Sequence, residues 1–162
     1  MNGNGKRRIR VARSPKQWQS LSLALLITKA DLSPDELTRR LGTEPDIARA
    51  PGEEQAFREG AGCWILTATA SDVAGLLDAL SPRVAPLASE LAALREEGYR
   101  VQLDISGHID SGMHHLTISP DLIAELARLG LPLSFTTRSS KVGSDEDLMG
   151  WDPPTYSHRR DS

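Results

Sequence analysis

The sequence predicts an α+β fold, a ferredoxin-like two-layer sandwich of about five mostly antiparallel strands with the helices on one face. Three observations lead there. Apolar residues alternate with polar ones in five short runs, apolar spacing of three and four residues appears between those runs, and one strand-then-helix pattern occurs twice with the same cap residues. A length of 162 residues suits one domain, which can bury roughly two thirds of its extended surface around a single core.

The first strand is read from Leu21, Leu23, Leu25 and Ile27, which alternate and so share one face. A helix start follows at Ser33-Pro34-Asp35-Glu36-Leu37 and a helix end at Leu41-Gly42. Serine supplies the N-cap oxygen, proline takes the first helical position where its missing N–H costs nothing, aspartate meets the positive helix end, and glycine closes the helix in a left-handed conformation. Glu36 adds a capping box, and Leu32 with Leu37 a hydrophobic staple. A long loop from Gly42 to Gly62 leads to the second strand, Trp64, Leu66 and Ala68. Ser71 then caps a helix over Asp72 to Leu80 that Ser81-Pro82 breaks, and Val84, Leu87, Leu91 and Leu94 resume it before Gly98.

Val101, Leu103 and Ile105 give the third strand, and Leu116 with Ile118 the fourth, joined as a hairpin through the turn Asp110-Ser111-Gly112. Ser119-Pro120-Asp121-Leu122-Ile123 to Leu129-Gly130 then repeats the earlier helix, with Ile118 and Ile123 placed as its staple. Leu131, Leu133 and Phe135 form the last strand. Two copies are too few for a solenoid, so the repeat marks pseudo-symmetry within one domain.

The run Leu32 to Leu37 with Leu41-Gly42 and Pro45, then Gly62 and Trp64 opening a strand, then Leu116 to Leu122 with Leu129-Gly130-Leu131, together resemble a bacterial family, the domain of unknown function 4279. The resemblance covers roughly Leu21 to Phe135. It implies a fold and no catalytic residues, because the motifs that carry it are caps, a strand tryptophan and helix ends.

Charge is unevenly spread. Lys6, Arg7, Arg8, Arg10, Arg13 and Lys16 put six positive charges and no acid in the first sixteen residues, so the formal total of -3 leaves -9 on the rest of the chain. We read residues 1–17 as a basic disordered arm, 18–137 as the single α+β domain, and 138–162 as a flexible tail whose anchors would be Trp151 and Tyr156. The single cysteine, Cys63, forms no internal disulfide, no apolar run reaches the ~18 residues of a membrane span, and the basic arm lacks a following apolar leader region. A cytoplasmic protein with no membrane partner is the expectation.

The densest polar cluster is His108, Asp110, His114 and His115. His108 and Asp110 share a strand side about 7 Å apart, and His115 joins them across the expected hairpin, while His114 falls on the core side with Leu116 and Ile118. Three ligands on a flat surface fall short of the convergent set a metal needs, so no metal and no cofactor is expected. Cys63 would need a histidine or a helix N-terminus beside it to become a nucleophile, and Trp64 reads as a core ring before a stacking platform. Glycine-rich phosphate loops, nucleophile elbows and the His-Glu-x-x-His pattern do not occur.

The sheet face away from the helices would present Ser22, Thr67, Thr69, Gln102, Asp104, Ser106, His115, Thr117, Ser134 and Thr136, an open polar surface suited to a partner. It carries no aromatic residue for base stacking, which leaves nucleic acid only the basic arm. The leading expectation is therefore a non-catalytic binding module for a protein partner, immunity-type or regulatory, with homodimerisation left open. A small-ligand domain is the alternative, with Arg49, Glu53, Glu54 and Arg58 of the long loop lining a pocket beside Trp64. A metal-dependent hydrolase on His108, Asp110 and His115 is the third reading.

Overall fold

A computed structural model describes residues 16–53, 60–110 and 113–139. Its main sheet has five strands in the order β3, β4, β2, β5, β7, where β2 is Gln19–Lys29, β3 Ile47–Arg49, β4 Gly62–Ala70, β5 Arg100–Ile109 and β7 Leu133–Ser139. The three pairings β2 with β4, β2 with β5 and β3 with β4 are antiparallel, and β5 with β7 is parallel. Helices α1 (Pro34–Leu41), α2 (Val73–Val84), α3 (Ala88–Glu96) and α4 (Pro120–Arg128) complete the expected α+β two-layer sandwich.

Both repeated caps form. Ser33 accepts the Glu36 N–H at 3.4 Å and Ser119 accepts the Leu122 N–H at 3.3 Å, each ahead of a proline at the helix start. Gly42 and Gly130 take φ of 66° after their helices, the left-handed turn glycine adopts without strain. The staple is buried in the first copy only. Leu32 and Leu37 are 0% and 1% exposed, whereas Ile123 turns outward at 55% while Leu126 faces the core.

The structure corrects four expectations. Leu116 to Ile118 form no strand, and the hairpin with β5 is not made. Both edges of β5 are already taken, by β2 and by β7, so a returning chain finds no free ladder there. Instead His114–His115 (β6) pair in parallel with Lys16–Gln17 (β1), while Leu116 and Ile118 rest on the core. Second, the long loop contains β3, which hydrogen-bonds to β4. Third, Ser81-Pro82 does not break α2. Pro82 lies inside it and the change comes at Ala85–Leu87, a 3₁₀ turn that contains Pro86, whose missing N–H removes the next helical bond. Asp72, not Ser71, caps α2, taking the Gly75 N–H at 2.8 Å. Fourth, Phe135 is 52% exposed because β7 is an edge strand.

The main core gathers Leu21, Leu23, Leu25 and Ile27 of β2, Trp64 and Leu66 of β4, and Val101, Leu103 and Ile105 of β5 against Leu37, Leu76, Leu77, Leu80, Leu91, Leu94 and Leu126 of the helices. The expected arm and tail lie almost wholly outside the described residues, as do Trp151 and Tyr156. Lys16 and Gln17 on one side, and Arg138 and Ser139 on the other, belong to strands. Among the described residues no helix is long and apolar enough to cross a membrane.

Candidate functional site

Because strand residues alternate between faces, the pairing registers fix which side chains share the sheet face away from the helices. Across the sheet, Arg100, Thr28, Cys63 and Arg49 form one row, and Gln102, Leu26, Ile65 and Ile47 the next. Ser134, Asp104, Ala24 and Thr67 follow, then Thr136, Ser106, Ser22 and Thr69, with Arg138 beside His108 at the far end. Small hydroxyl residues thus occupy one half, an apolar strip lies next to the Arg100–Arg49 end and reaches the edge strand β3, and Arg138 stands at the opposite end.

This face is less open than its polarity suggests. Asp104, Ser106 and Gln102 are 2%, 5% and 7% exposed, and Leu26, Cys63 and Ile65 form a second buried cluster joined by Ala24 and Ile47. Among the described residues, no helix residue belongs to that cluster. His115 and Thr117 lie outside the five-stranded sheet.

Asp104 is the central polar group. Its Oδ1 accepts the Ser134 hydroxyl at 2.6 Å and the Thr136 hydroxyl at 2.9 Å, so two side chains of β7 are tied to β5 through one oxygen. Burial pushes the Asp104 carboxyl above the usual carboxylate range, against the opposing pull of the two hydroxyls and of Arg138. Ser22 and Ser106 share a hydroxyl–hydroxyl hydrogen bond, and Arg100 Nε donates to Gln102 Oε1 at 3.0 Å. The nearest histidine on this strand side, His108, is four residues from Asp104, roughly 13 Å along the strand, too far to act with it as an acid–base pair. Cys63 sits among Leu26 and Ile65, where burial pushes its thiol up, away from the thiolate a nucleophile requires.

The histidine cluster is arranged differently from the hairpin expectation. Asp110 meets Lys16 Nζ at 2.8 Å through Oδ2 and His114 Nε2 at 2.8 Å through Oδ1. The hydrogen bond from Lys16 holds the Asp110 carboxyl below its ordinary value. His114, 3% exposed, is thus the residue brought to Asp110, not His108 or His115. His115 lies in β6, with its Nδ1 buried and without a partner among the described residues, beside a hollow of about 90 Å³ next to Trp18 and Asp72. Among the described residues no three His, Cys, Asp or Glu side chains converge as metal ligands would.

Arg49 donates to the carbonyl of Ala48 at 2.8 Å, while Arg58 and Glu54 lie outside the described residues. Trp64 is fully buried and donates its indole N–H to Thr38 Oγ1 at 3.1 Å, which leaves no ring face for a ligand. The Lys16–Asp110 contact and β3 escaped the sequence reading, the first because it joins residues 94 apart and the second because three residues are too few to show alternation.

A family model described as "Domain of unknown function (DUF4279)" matches residues 18–140. Comparison with curated proteins and with solved structures gave no match.

Proposed function

Since the chain belongs to the DUF4279 family, whose description names no activity, we propose from the geometry that it is a non-catalytic binding module and that the second sheet face is its protein interface. The observation that carries this reading is the cluster of Leu26, Cys63 and Ile65, which among the described residues takes in strand residues alone. Apolar side chains clustered on a face, with hydroxyl residues on one side and arginines on the other, match the anatomy of an interface, where an apolar patch adjoins polar and charged residues. Arg49, Arg100 and Arg138 favour a partner that offers carboxylates around an apolar segment.

The reading is tested with a partner recovered on the tagged full chain, purified, and titrated against native protein and against Thr69→Arg and Arg138→Glu variants. Thr69 is exposed on the face and Arg138 stands at its edge strand, so neither change enters the core. Affinity is expected to fall by about tenfold or more in each, the scale of a lost interface contact of ~1.4 kcal/mol. A partner whose affinity is the same for all three proteins would show that the interface lies elsewhere.

A further inference from the structure

A strand at the edge of a sheet presents unpaired N–H and C=O groups, and folds blunt such edges with short strands, prolines or charges. Of the two edges of the five-stranded sheet, β3 is blunted by its length of three residues, whereas β7 runs for seven, without proline and with Arg138 as its one charge. A single bond fixes which groups of β7 are free. The Leu103 N–H donates to the Pro132 carbonyl at 2.8 Å, and backbone groups alternate in direction along a strand, so Ser134, Thr136 and Arg138 turn theirs to β5. Leu133, Phe135 and Thr137 therefore turn their N–H and C=O outward, with no backbone partner among the described residues.

Apolar surface lies beside this ladder. Phe135 stands at its middle, 52% exposed. In α4, Glu125 accepts the Ser81 hydroxyl of α2, which packs on β2 and β4, and Ile123 lies two residues away, about 200° around the helix. Ile123, 55% exposed, is thus turned from α2 towards the side of the helix layer that β7 borders.

We infer that the partner of this edge is a second copy of the chain, β7 pairing antiparallel with β7 about a two-fold axis through Phe135, so that two sheets continue as one. In this register the strand complements itself. Phe135 stands opposite its copy and Leu133 opposite Thr137, so all three outward residues exchange both of their bonds and none is left over. Ser134 falls opposite Thr136 and Arg138 opposite Pro132, so no like charges face each other. Leu133, Phe135 and Thr137 carry no charge by which a foreign strand would be selected, and an isologous contact closes at two copies. Two seven-residue strands with one apolar flank each make a contact below about 1,200 Å², the low end of specific interfaces, so association is expected in the micromolar range. The inference is independent of the partner reading, since Thr69, whose substitution tests that reading, lies on β4, three strands from β7.

Sedimentation equilibrium of the full chain from about 1 to about 300 µM brackets a micromolar Kd. The mass is expected to rise from 17.6 kDa towards twice that value. Phe135→Lys sets two like charges on the axis, and Thr137→Pro removes an outward donor while leaving the β5 ladder whole, so each is expected to weaken association by about tenfold or more. Cross-linking reads the register separately. Phe135→Cys should form a disulfide with its copy under mild oxidation, because Cα atoms of such a pair stand about 5.5 Å apart. Thr137→Cys should not, being four residues, roughly 13 Å, out of step with its copy. The native chain, whose Cys63 is 1% exposed, is the blank. A mass of 17.6 kDa at every concentration would overturn the proposal. So would association as tight in Phe135→Lys and Thr137→Pro as in the native chain, or cross-linking equal at the two cysteine positions.

Discussion

Replacing Asp104 by asparagine and by alanine separates the charge of this buried side chain from its hydrogen bonds. Both hydroxyl donors, Ser134 and Thr136, converge on Oδ1, so asparagine keeps an oxygen where both bonds end, whereas alanine removes it. A hydrogen bond to a charged acceptor contributes about 1.5–3 kcal/mol, and Ser134 retains a second acceptor in the Leu103 carbonyl, so Asp104→Ala is expected to cost about 2–4 kcal/mol at pH 7. Asp104→Asn exchanges stronger charged bonds for relief from burying a charge, and is expected to stay within about 1 kcal/mol of the native protein. The pH dependence carries the sign. Burial raises the folded carboxyl above its unfolded value, so between the two values the folded state holds a proton the unfolded chain has released. Native stability relative to Asp104→Asn therefore falls as pH rises through that window and recovers below it. Urea unfolding from pH 4 to 8 measures this, and with a slope near 2 kcal/mol per molar the alanine variant should lose about 1–2 M in midpoint. An asparagine variant as damaged as alanine, or a native advantage that grows with pH, would refute the reasoning and mean that the ionised carboxylate is what the fold requires.

Ser33→Ala and Ser119→Ala should each lower stability by about 1 kcal/mol through loss of an N-cap, read as a shift in thermal melting, and two unchanged melts would contradict the cap assignment. Gly107→Ala would place a Cβ 2.7 Å from Trp18 Cε3, so a loss of about 1–3 kcal/mol is expected, and Trp18→Val in the same chain should return part of it. Thr38→Val leaves the buried indole N–H of Trp64 without its acceptor and should cost about 1–3 kcal/mol, a penalty that Trp64→Phe in the same background should largely remove. Protein purified without chelator should hold far less than one equivalent of zinc by elemental analysis, because Lys16 and His114 already engage both oxygens of Asp110. Stoichiometric zinc lost in His108→Ala would reverse that expectation.

Local signals in the sequence determined the elements whose causes are local. The Ser-Pro-Asp starts and glycine ends set α1 and α4, and period-two alternation set β2, β4 and β5, because caps and strand faces depend on residues within a few positions. The presence of Ser22, Asp104, Ser106, Ser134 and Thr136 on one face followed from that alternation alone. Pairing depends on which edges remain free, and no local pattern records this. With β2 and β7 on both sides of β5, the expected hairpin had no edge to join, so His114 turned to Asp110 and Lys16 rather than completing a cluster with His108. Burial is equally non-local. A polar run reads as wet, yet Asp104 and Gln102 are shielded in the tertiary structure, and Trp64, a nominal ligand platform, spends its one donor on Thr38 of another element. Sequence thus determined which residues share a face, while only the assembled fold decided what meets that face, since strand period is a property of a few neighbours and contact is a property of the whole chain.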